Sequence, residues 1–430
     1  MSSILNFIVL ARLLTSQEFG NLRQLMLLNQ IVFAVLFAAI PISLLYFCGR
    51  FSEAADKKSV ARKHLVLILG CGVLSSFCIL IFKSGLSSVY GNPSLYELLR
   101  VFFIFPLFYM IYNAVPAFLI ALDRTSLIKW YCPLVAFINT AVILLVATFA
   151  SFSAVLNTLV VTAGISAVIA LCLLGWLTRG QQTSSECRDK ELTYSDIVGY
   201  SWFLVAAALI SILGSKIDQF VISNKLGLEV FAIYVVGAFQ VPIYSLIQSS
   251  VNSVMLPQLT SHIVNNEWGK LRQLWRDSVD KISLVALPLA AFLTVFSFEF
   301  ITLVFGKQYG AAAQIFLVFS LLAPIKCISF GLIFRASGKP QYDVIGALAF
   351  LALSTTLTFA GVTLWGELGV ALGVVVATLL LALLMSVLVK VHTKGEVGFF
   401  DLLPGFFFYR FIGWVSLFFV VKNIIEWAEF

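Results

Sequence analysis

A carboxylate inside an apolar run is the first candidate for chemistry in this sequence. Asp218 follows Ser211 and Ser215 at spacings of 7 and 3 residues, so the three share one face of a predicted helix. Acids within hydrocarbon usually face a partner or a wet cavity, which makes Asp218 a candidate binding residue. The alternative is that Asp218 lies near the outer end of its helix and reaches water. Lys216 falls on another face and is not expected to pair with it.

A single amine lies near the middle of a later apolar run. Lys326 stands in the segment Ala323-Pro324-Ile325-Lys326-Cys327, too far from either end to snorkel easily to water. Such an amine should line a wet cavity or pair with an acid. Lys326 is therefore either a binding residue or half of a structural pair, for instance with Asp218.

Amide and hydroxyl side chains recur every four residues in another apolar run. Gln240, Tyr244 and Gln248, with Asn252 one turn further, would line one face of a continuous helix. These groups both donate and accept hydrogen bonds, which suits sugar hydroxyls, although polar contacts between helices are an equally common explanation. A smaller counterpart earlier in the chain comprises Tyr109, Tyr112 and Asn113.

Signatures of enzymes are missing from the sequence. His64, His262 and His392 stand in or beside predicted loops, without a second ligand at metal-binding spacing. The chain has no phosphate-binding Gly-Lys-Ser/Thr loop, no Gly-x-Ser-x-Gly elbow and no loop large enough for a catalytic domain. We therefore predict that the protein is not an enzyme and uses neither a cofactor nor a metal.

The elements that position these residues are membrane helices. Hydrophobic residues make up 60% of the chain and charged residues 11%, with a mean hydropathy of +1.00, whereas soluble domains carry about 25% charged residues. Runs of about 20 apolar residues predict an all-α, multi-pass membrane protein. The predicted spans are 25–48, 64–82, 98–121, 130–149, 154–177, 197–222, 230–256, 282–304, 312–335, 344–364, 367–391 and 404–426.

The net charge of +7 reflects membrane topology. Basic residues concentrate in alternate loops, such as those around residues 50–63, 179–190 and 270–281, and are sparse in the others. This bias places the basic loops in the cytoplasm. It also removes the reason to expect a nucleic-acid partner.

Two distant stretches of the chain resemble each other. Val89-Tyr90-Gly91 and Ala121-Leu122-Asp123-Arg124 recur 215 residues later as Val304-Phe305-Gly306 and Ala336-Ser337-Gly338-Lys339. The repeat predicts two six-helix bundles with the same orientation. The expected domains are an N-lobe at 1-178, a cytoplasmic linker at 179-196, a C-lobe at 197-391 and a peripheral C-terminal helix at 392-430.

The first helix of the N-lobe is expected to be incomplete. The apolar run from Ile4 to Leu14 is too short to cross a bilayer alone. It also lacks the small-residue cleavage site of a signal peptide. We interpret it as the second half of a helix whose beginning is missing.

Several short motifs, in order, resemble one family of transporters. They are Ala11-Arg12-Leu13-Leu14, Glu18-Phe19-Gly20, Ile217-Asp218-Gln219-Phe220-Val221-Ile222, Phe305-Gly306, Ala336-Ser337-Gly338-Lys339 and Leu364-Trp365-Gly366-Glu367-Leu368-Gly369. The chain resembles the polysaccharide biosynthesis proteins, the Wzx-type O-antigen flippases of the multidrug/oligosaccharidyl-lipid/polysaccharide exporter superfamily. The resemblance covers nearly the whole chain.

This resemblance implies a V-shaped exporter fold in the bacterial inner membrane. Its substrate would be a polyprenyl-diphosphate-linked oligosaccharide, moved by alternating access for O-antigen, capsule or exopolysaccharide synthesis. Lys326, Lys216 and Arg12 would attract the diphosphate, and the face that begins at Gln240 would meet the sugars. Membrane lipids, a polysaccharide polymerase and a chain-length regulator are the implied partners.

Three alternatives remain open. A cation-coupled multidrug exporter would be expected to place an acid inside the N-lobe, where the predicted spans offer only Asp123 at a helix end. A lipid II flippase would suit the same architecture. An integral-membrane polymerase or glycosyltransferase would need a long catalytic loop, which the sequence lacks.

Overall fold

The protein is helical throughout the part that the computed structural model describes, which comprises residues 2–50, 53–179, 192–339, 341–398 and 405–428. Within these residues eight helices are long and apolar enough to cross a membrane, or up to eleven if each bent pair counts as one span. The predicted all-α membrane architecture is confirmed. Most of the expected linker at 179-196 lies outside the described residues.

The helices of the first half run from α1 to α8. Their bounds are α1 Ser2–Leu13, α2 Ser16–Leu36, α3 Ala39–Cys48, α4 Ala54–Val89, α5 Leu95–Phe102, α6 Phe105–Ala121, α7 Ile128–Phe149 and α8 Phe152–Thr178. Those of the second half are α9 Tyr194–Lys225, α10 Leu228–Gly237, α11 Pro242–Val264, α12 Trp268–Val295, α13 Ser297–Phe305, α14 Ala312–Ser320, α15 Ala323–Lys326, α16 Gly331–Ala336, α17 Gln341–His392 and α18 Phe407–Ala428.

The chain forms two compact units. The first unit comprises the residues up to Leu213 together with Gly227–Glu229, and the second comprises Gly214–Leu226 and the residues from Val230 onward. The division falls inside α9. The lobe limits expected from the sequence, 1-178 and 197-391, remain a prediction.

The internal repeat is visible in backbone geometry. Asp123 has φ 58° and Gly338, 215 residues later, has φ 67°. In both turns the next residue donates its N–H to the carbonyl five residues back: Arg124 to Leu119 at 2.7 Å and Lys339 to Phe334 at 2.9 Å. This is the Schellman arrangement, which satisfies the last carbonyls of a helix through a left-handed residue. The two copies therefore end the same helix in the same way with different side chains.

A break recurs in each copy of one membrane span. α5 and α6 meet at 46°, and so do α14 and the segment Ala323–Ala336. In each case a proline, Pro106 or Pro324, stands in the first turn of the restarting helix, where its missing N–H has no intrahelical partner to lose. The sequence predicted continuous spans at 98–121 and 312–335, and both are bent.

A further bend corrects the predicted polar face. α10 and α11 meet at 47°, and Pro242 begins α11. Gln240 lies in the non-helical break between them and is exposed. It is therefore not on one helix face with Tyr244 and Gln248, because the continuous helix expected over 230–256 is interrupted there.

The two arms of α17 touch through glycines. Trp365 and Gly366, with φ 58° at Gly366, are non-helical and separate the arms. A Cβ added to Gly369 would lie 2.0 Å from the carbonyl oxygen of Gly361, and one on Gly373 would lie 2.7 Å from that of Leu357. Only residues without a side chain allow the backbones to approach this closely.

Basic residues of the predicted cytoplasmic loops cap helix ends. Lys58 Nζ donates to the carbonyl oxygen of Arg179 at 3.1 Å, and Arg62 Nη2 donates to that of Thr178 at 3.1 Å. In the second unit Arg272 Nη1 donates to Glu396 O at 2.9 Å. These cations satisfy carbonyls at or beyond the ends of α8 and α17, where the helix dipole is negative.

α18 stands outside the repeat and packs along α12. Arg410 pairs with Asp280 near one end of α18, and Lys422 Nζ pairs with Glu299 at 2.6 Å near the other. Phe418 lies 5.7 Å from Phe292 between them. Two ion pairs and aromatic contacts therefore hold the additional helix on the second unit.

Candidate functional site

A capping box fixes where α2 begins. The backbone N–H of Glu18 donates to Thr15 Oγ1 at 3.3 Å, and Glu18 Oε2 accepts from the backbone N–H of Thr15 at 3.0 Å. Since these bonds satisfy two orphan donors of the first turn, the helix begins at Ser16. Arg23 consequently lies two turns inside a membrane helix, although the span predicted from hydropathy began only at residue 25.

A cavity of about 490 Å³ lies inside the first unit. Its walls come from α1, α2, α6, α7 and α8. The polar side chains that line it are Asn6, Arg23, Gln30, Tyr109, Tyr112, Asn113, Tyr131, Asn139, Thr140 and Thr162. Among the described lining residues the single charge is that of Arg23, so the cavity is cationic.

Arg23 makes no ion pair or hydrogen bond with the described residues. Its guanidinium carbon lies 4.7 Å from the centroid of the Phe7 ring, and its buried Nε has no hydrogen-bond partner. A guanidinium carries five N–H donors, so most of its capacity remains available to a ligand. Sequence reasoning missed this residue, and the Thr15–Glu18 capping box is the signal that could have found it.

Tyr112 and Asn113, two of the predicted binding residues, line this cavity. Asn113 Nδ2 donates to the carbonyl oxygen of Tyr109 at 2.8 Å, one turn back on α6. Tyr131 Oη of α7 donates to the carbonyl oxygen of Tyr112 at 3.5 Å. The amide and hydroxyl groups of α6 and α7 are thus held at the cavity wall by contacts to the backbone of α6.

Arg12 is exposed in the last turn of α1 and is not among the residues that line the cavity. Lys216, half-buried on α9, belongs to the second unit. Lys216 is not among the residues that line the cavity of the first unit. Their predicted role in attracting a diphosphate stays a prediction.

Asp218 is buried in the second unit. The side chain is 6% exposed, and its Oδ2 accepts a hydrogen bond from Tyr234 Oη at 2.8 Å. Its Oδ1 is buried without a partner among the described residues. Asp218 therefore neither reaches water nor pairs with Lys326, the two structural explanations that the sequence allowed.

Lys326 lies where a membrane helix is broken. It is the last residue of α15 and half-buried, and its side-chain amine makes no hydrogen bond or ion pair with the described residues. Three residues later Ser329 Oγ accepts from Gln248 Nε2 of α11 at 2.9 Å. Tyr244 packs against the adjoining core, and Asn252 is half-buried one turn beyond Gln248. The structure thus brings Gln248 to the segment that follows Lys326.

The acid that the sequence placed at the end of an N-lobe helix is engaged elsewhere. Asp123 Oδ2 pairs with Lys57 Nζ at 2.6 Å, outside the residues that line the cavity. The described residues contain no group of three or more side chains that could hold a metal ion. Asp123 therefore places no negative charge in the cavity that contains Arg23.

Comparison with known families decides the assignment. A sequence profile of the polysaccharide biosynthesis proteins matches residues 9–314. The chain belongs to the polysaccharide biosynthesis protein family. The resemblance drawn from the short motifs is thereby confirmed. No curated protein sequence matches this family member significantly.

Solved structures show that this polysaccharide biosynthesis protein has an exporter fold. An inward-facing multidrug resistance MATE family transporter of the MOP superfamily matches with a TM-score of 0.72 at 13% identity, over 92% of this chain and 94% of that chain. The lipid II flippase MurJ, in an inward closed conformation, matches with a TM-score of 0.66 at 13% identity, over 100% and 97%.

A third similar structure is a MOP superfamily transporter from Pyrococcus furiosus, described by the reverse polarity of its binding pocket. Its TM-score is 0.57 at 13% identity, over 92% of both chains. At this identity the three structures establish the fold and no substrate. The protein is a multi-pass membrane protein with the architecture of MOP transporters and flippases.

Proposed function

We propose that the protein is a flippase for a polyprenyl-diphosphate-linked oligosaccharide in the bacterial inner membrane. It would serve O-antigen, capsule or exopolysaccharide synthesis by alternating access. The observation that carries this proposal is the cationic cavity of the first unit, where Arg23 has no acidic partner among the described residues. Membership of the polysaccharide biosynthesis family supports the same substrate class.

The charge of the cavity favours an anionic substrate. A guanidinium enclosed in a membrane protein is costly unless a counter-charge or water accompanies it. Its planar array of donors binds phosphate oxygens in pairs, which makes arginine well suited to phosphate recognition. A diphosphate beside Arg23 would supply both the counter-charge and the missing acceptors.

The neutral lining favours a glycan next to that anion. Tyr112 and Asn113 stand on α6, and Gln30 stands on α2 two turns beyond Arg23. Amides and phenols donate and accept hydrogen bonds, as sugar hydroxyls do. In the second unit Lys326 and Gln248 offer a similar combination of a cation and an amide, and we propose them as further substrate contacts.

The alternatives make different demands on the same cavity. A multidrug exporter of cationic compounds would need a carboxylate, and the described lining has none. A lipid II flippase would meet an anionic, sugar-bearing lipid with the same groups, and the likeness to MurJ makes it the second candidate. A polymerase or glycosyltransferase finds no support in the family or in the similar structures.

Translocation by the purified protein in liposomes tests the proposal. Three fluorescent substrates would be compared: a polyprenyl-diphosphate oligosaccharide, lipid II and a cationic dye. We expect acceleration of the first, with little effect on the dye. Faster movement of lipid II alone would favour the second candidate, and movement of the dye alone would refute both flippase proposals.

A further inference from the structure

A second concavity lies on the surface of the first unit, between α7 and α8. This groove encloses about 340 Å³. Its apolar wall includes Val142 of α7 and Val161 and Ile165 of α8, with exposed fractions of 39%, 57% and 56%. In the part of the chain that the structure describes, the groove is open, and exposed apolar side chains of a membrane-spanning helix face lipid.

The groove and the cavity share part of their lining. Val135, Asn139 and Thr162 belong to both. Ser166 Oγ of α8 donates to Asn139 Oδ1 of α7 at 3.1 Å and ties the two helices together at this shared wall. The groove therefore adjoins the cavity that contains Arg23, and the side chains that line both form the wall between them.

The positions of the groove residues along the two helices give the depth of the groove in the bilayer. Lys129 at the start of α7 and Arg179 after α8 mark these ends as cytoplasmic. The groove residues on α7 run from Val135 to Val146, and those on α8 run from Asn157 to Ile169. Both sets straddle the middle of their helices, which run from Ile128 to Phe149 and from Phe152 to Thr178, so the groove lies near the midplane of the bilayer.

We infer that this groove holds the hydrocarbon chain of the lipid-linked substrate while its anionic headgroup occupies the cavity beside Arg23. The inference rests on the proposed flippase function and adds the place where the chain lies while the headgroup is bound. A lipid diphosphate joins an apolar chain to a strong anion. An apolar groove that meets a cationic cavity matches that division.

Solvation explains why the hydrocarbon chain and the diphosphate of one substrate would lie in two different places. A hydrocarbon chain inside a polar cavity would leave the cavity's donors and acceptors unpaired. A diphosphate drawn into the apolar groove would be an unpaired charge in hydrocarbon. The substrate avoids both costs if it lies across the wall formed by Val135, Asn139 and Thr162.

Photo-crosslinking can locate the chain directly. Val161 would be replaced by benzoylphenylalanine in the full-length protein, reconstituted with a radiolabelled polyprenyl-diphosphate oligosaccharide. Val168 is the matched control, since it lies on the same helix and is 59% exposed but does not line the groove. We expect severalfold stronger labelling at position 161, reduced by unlabelled substrate but not by excess phosphatidylglycerol. Equal labelling at both positions, or equal competition by phosphatidylglycerol, would overturn the inference.

Filling the groove tests its role in transport. Val161→Trp should slow translocation at least tenfold, whereas Val168→Trp should remain near the unsubstituted rate. Binding of a soluble diphosphate oligosaccharide without a lipid chain should be unchanged in both variants, which shows that the cavity is intact.

The two proposals fail in different ways. If the unsubstituted protein moves no lipid-linked oligosaccharide, the flippase function is wrong, and the assignment of the groove to this substrate falls with it. If the unsubstituted protein is active but Val161→Trp is as fast as Val168→Trp, the groove is not the path of the chain and the flippase function stands.

Discussion

The guanidinium carbon of Arg23 lies 4.7 Å from the centre of the Phe7 ring, so α1 supplies the surface on which the charge of α2 rests. A cation over an aromatic face gains about 0.5–2 kcal/mol, depending on how far it is desolvated. This contact orients the guanidinium without using its hydrogen-bond donors. The arrangement leaves the donors for a ligand in the cavity.

Replacing Arg23 should impair transport more than folding. A hydrogen bond to a charged group contributes about 1.5–3 kcal/mol, so Arg23→Ala should lower the affinity for the diphosphate oligosaccharide by about ten- to hundredfold. Arg23→Lys should recover only part of it, because an ammonium cannot bind phosphate oxygens as a planar pair. Calorimetric titration of the detergent-solubilised protein measures both.

Arg100→Ala is the matched control for this experiment. Arg100 is exposed and pairs with Glu97 at 3.1 Å one turn away, an ion pair that contributes little. Its loss should leave affinity and translocation near those of the unsubstituted protein. Equal effects of the two substitutions would show that the charge in the cavity has no special role.

Tyr234→Phe should destabilise the second unit. The change removes the hydroxyl group that donates a hydrogen bond to Asp218 Oδ2 at 2.8 Å. The other carboxylate oxygen, Oδ1, is already buried without a partner among the described residues. An unsatisfied buried group costs about 1–3 kcal/mol, so the thermal midpoint in detergent should fall. Tyr409→Phe, at a side chain 75% exposed, should change it little.

A double substitution tests whether the two residues act as a pair. The effects of Asp218→Ala and Tyr234→Phe should not add, because each removes the same hydrogen bond. Strict additivity would mean that the tyrosine stabilises the fold through its ring alone.

One glycine substitution should have opposite effects at two positions. Gly338 has φ 67°, a conformation that costs residues with a Cβ about 1–2 kcal/mol, so Gly338→Ala should lower the thermal midpoint. Gly85 lies inside α4 with no neighbour within 4 Å of an added Cβ, so Gly85→Ala should raise stability by about 0.5–1 kcal/mol. Thermal unfolding of both variants is the measurement, and shifts of the same sign would contradict the left-handed turn.

An acid outside the membrane spans should link stability to pH. Lys270 Nζ and His262 Nδ1 lie 2.7 and 2.8 Å from the carboxylate of Glu267, and these hydrogen bonds hold the pKa of Glu267 below its usual range. A lowered folded pKa stabilises the protein above the unfolded value of about 4.3, and the stabilisation is lost as the pH falls through the folded value.

Glu267→Gln should therefore matter at neutral pH and not in acid. The difference in thermal midpoint between the unsubstituted protein and the variant should shrink as the pH falls from about 7 to about 3. Glu367→Gln serves as a control, since Glu367 makes no hydrogen bond or ion pair with the described residues. A difference that stays constant with pH would exclude the ionic contribution.

The two equivalent turns, one in each copy of the repeat, were predictable from the sequence. The 215-residue spacing between Asp123 and Gly338 pointed to equivalent positions, and both adopt left-handed backbone at the end of a helix. Asp and Gly are among the residues that tolerate this conformation, so the pattern carried its own physical reason. The apolar runs predicted the fold class, because a run of about 20 apolar residues is long enough to cross a bilayer as a helix.

Bends and the position of the cavity were harder to predict. Hydropathy averages over a window and does not register a change of direction, so Pro242 broke a helix that Gln240 was expected to share with Gln248. The same averaging placed the start of the predicted span at residue 25, so Arg23 was assigned to a loop. Local signals, a proline and a capping box, contained the missing information in both cases.

The bend after Gly237 exists in one copy only. The motif Glu18-Phe19-Gly20 approximates Val230-Phe231-Ala232 at a shift of 212 residues. The counterpart of the bend in the first unit therefore lies near Leu25, inside the unbroken helix α2. Two identical subunits encoded by one gene would have to bend at the same residue or not at all. Because the two copies lie within a single chain, each can bend independently of the other, and this joint is a point at which they differ.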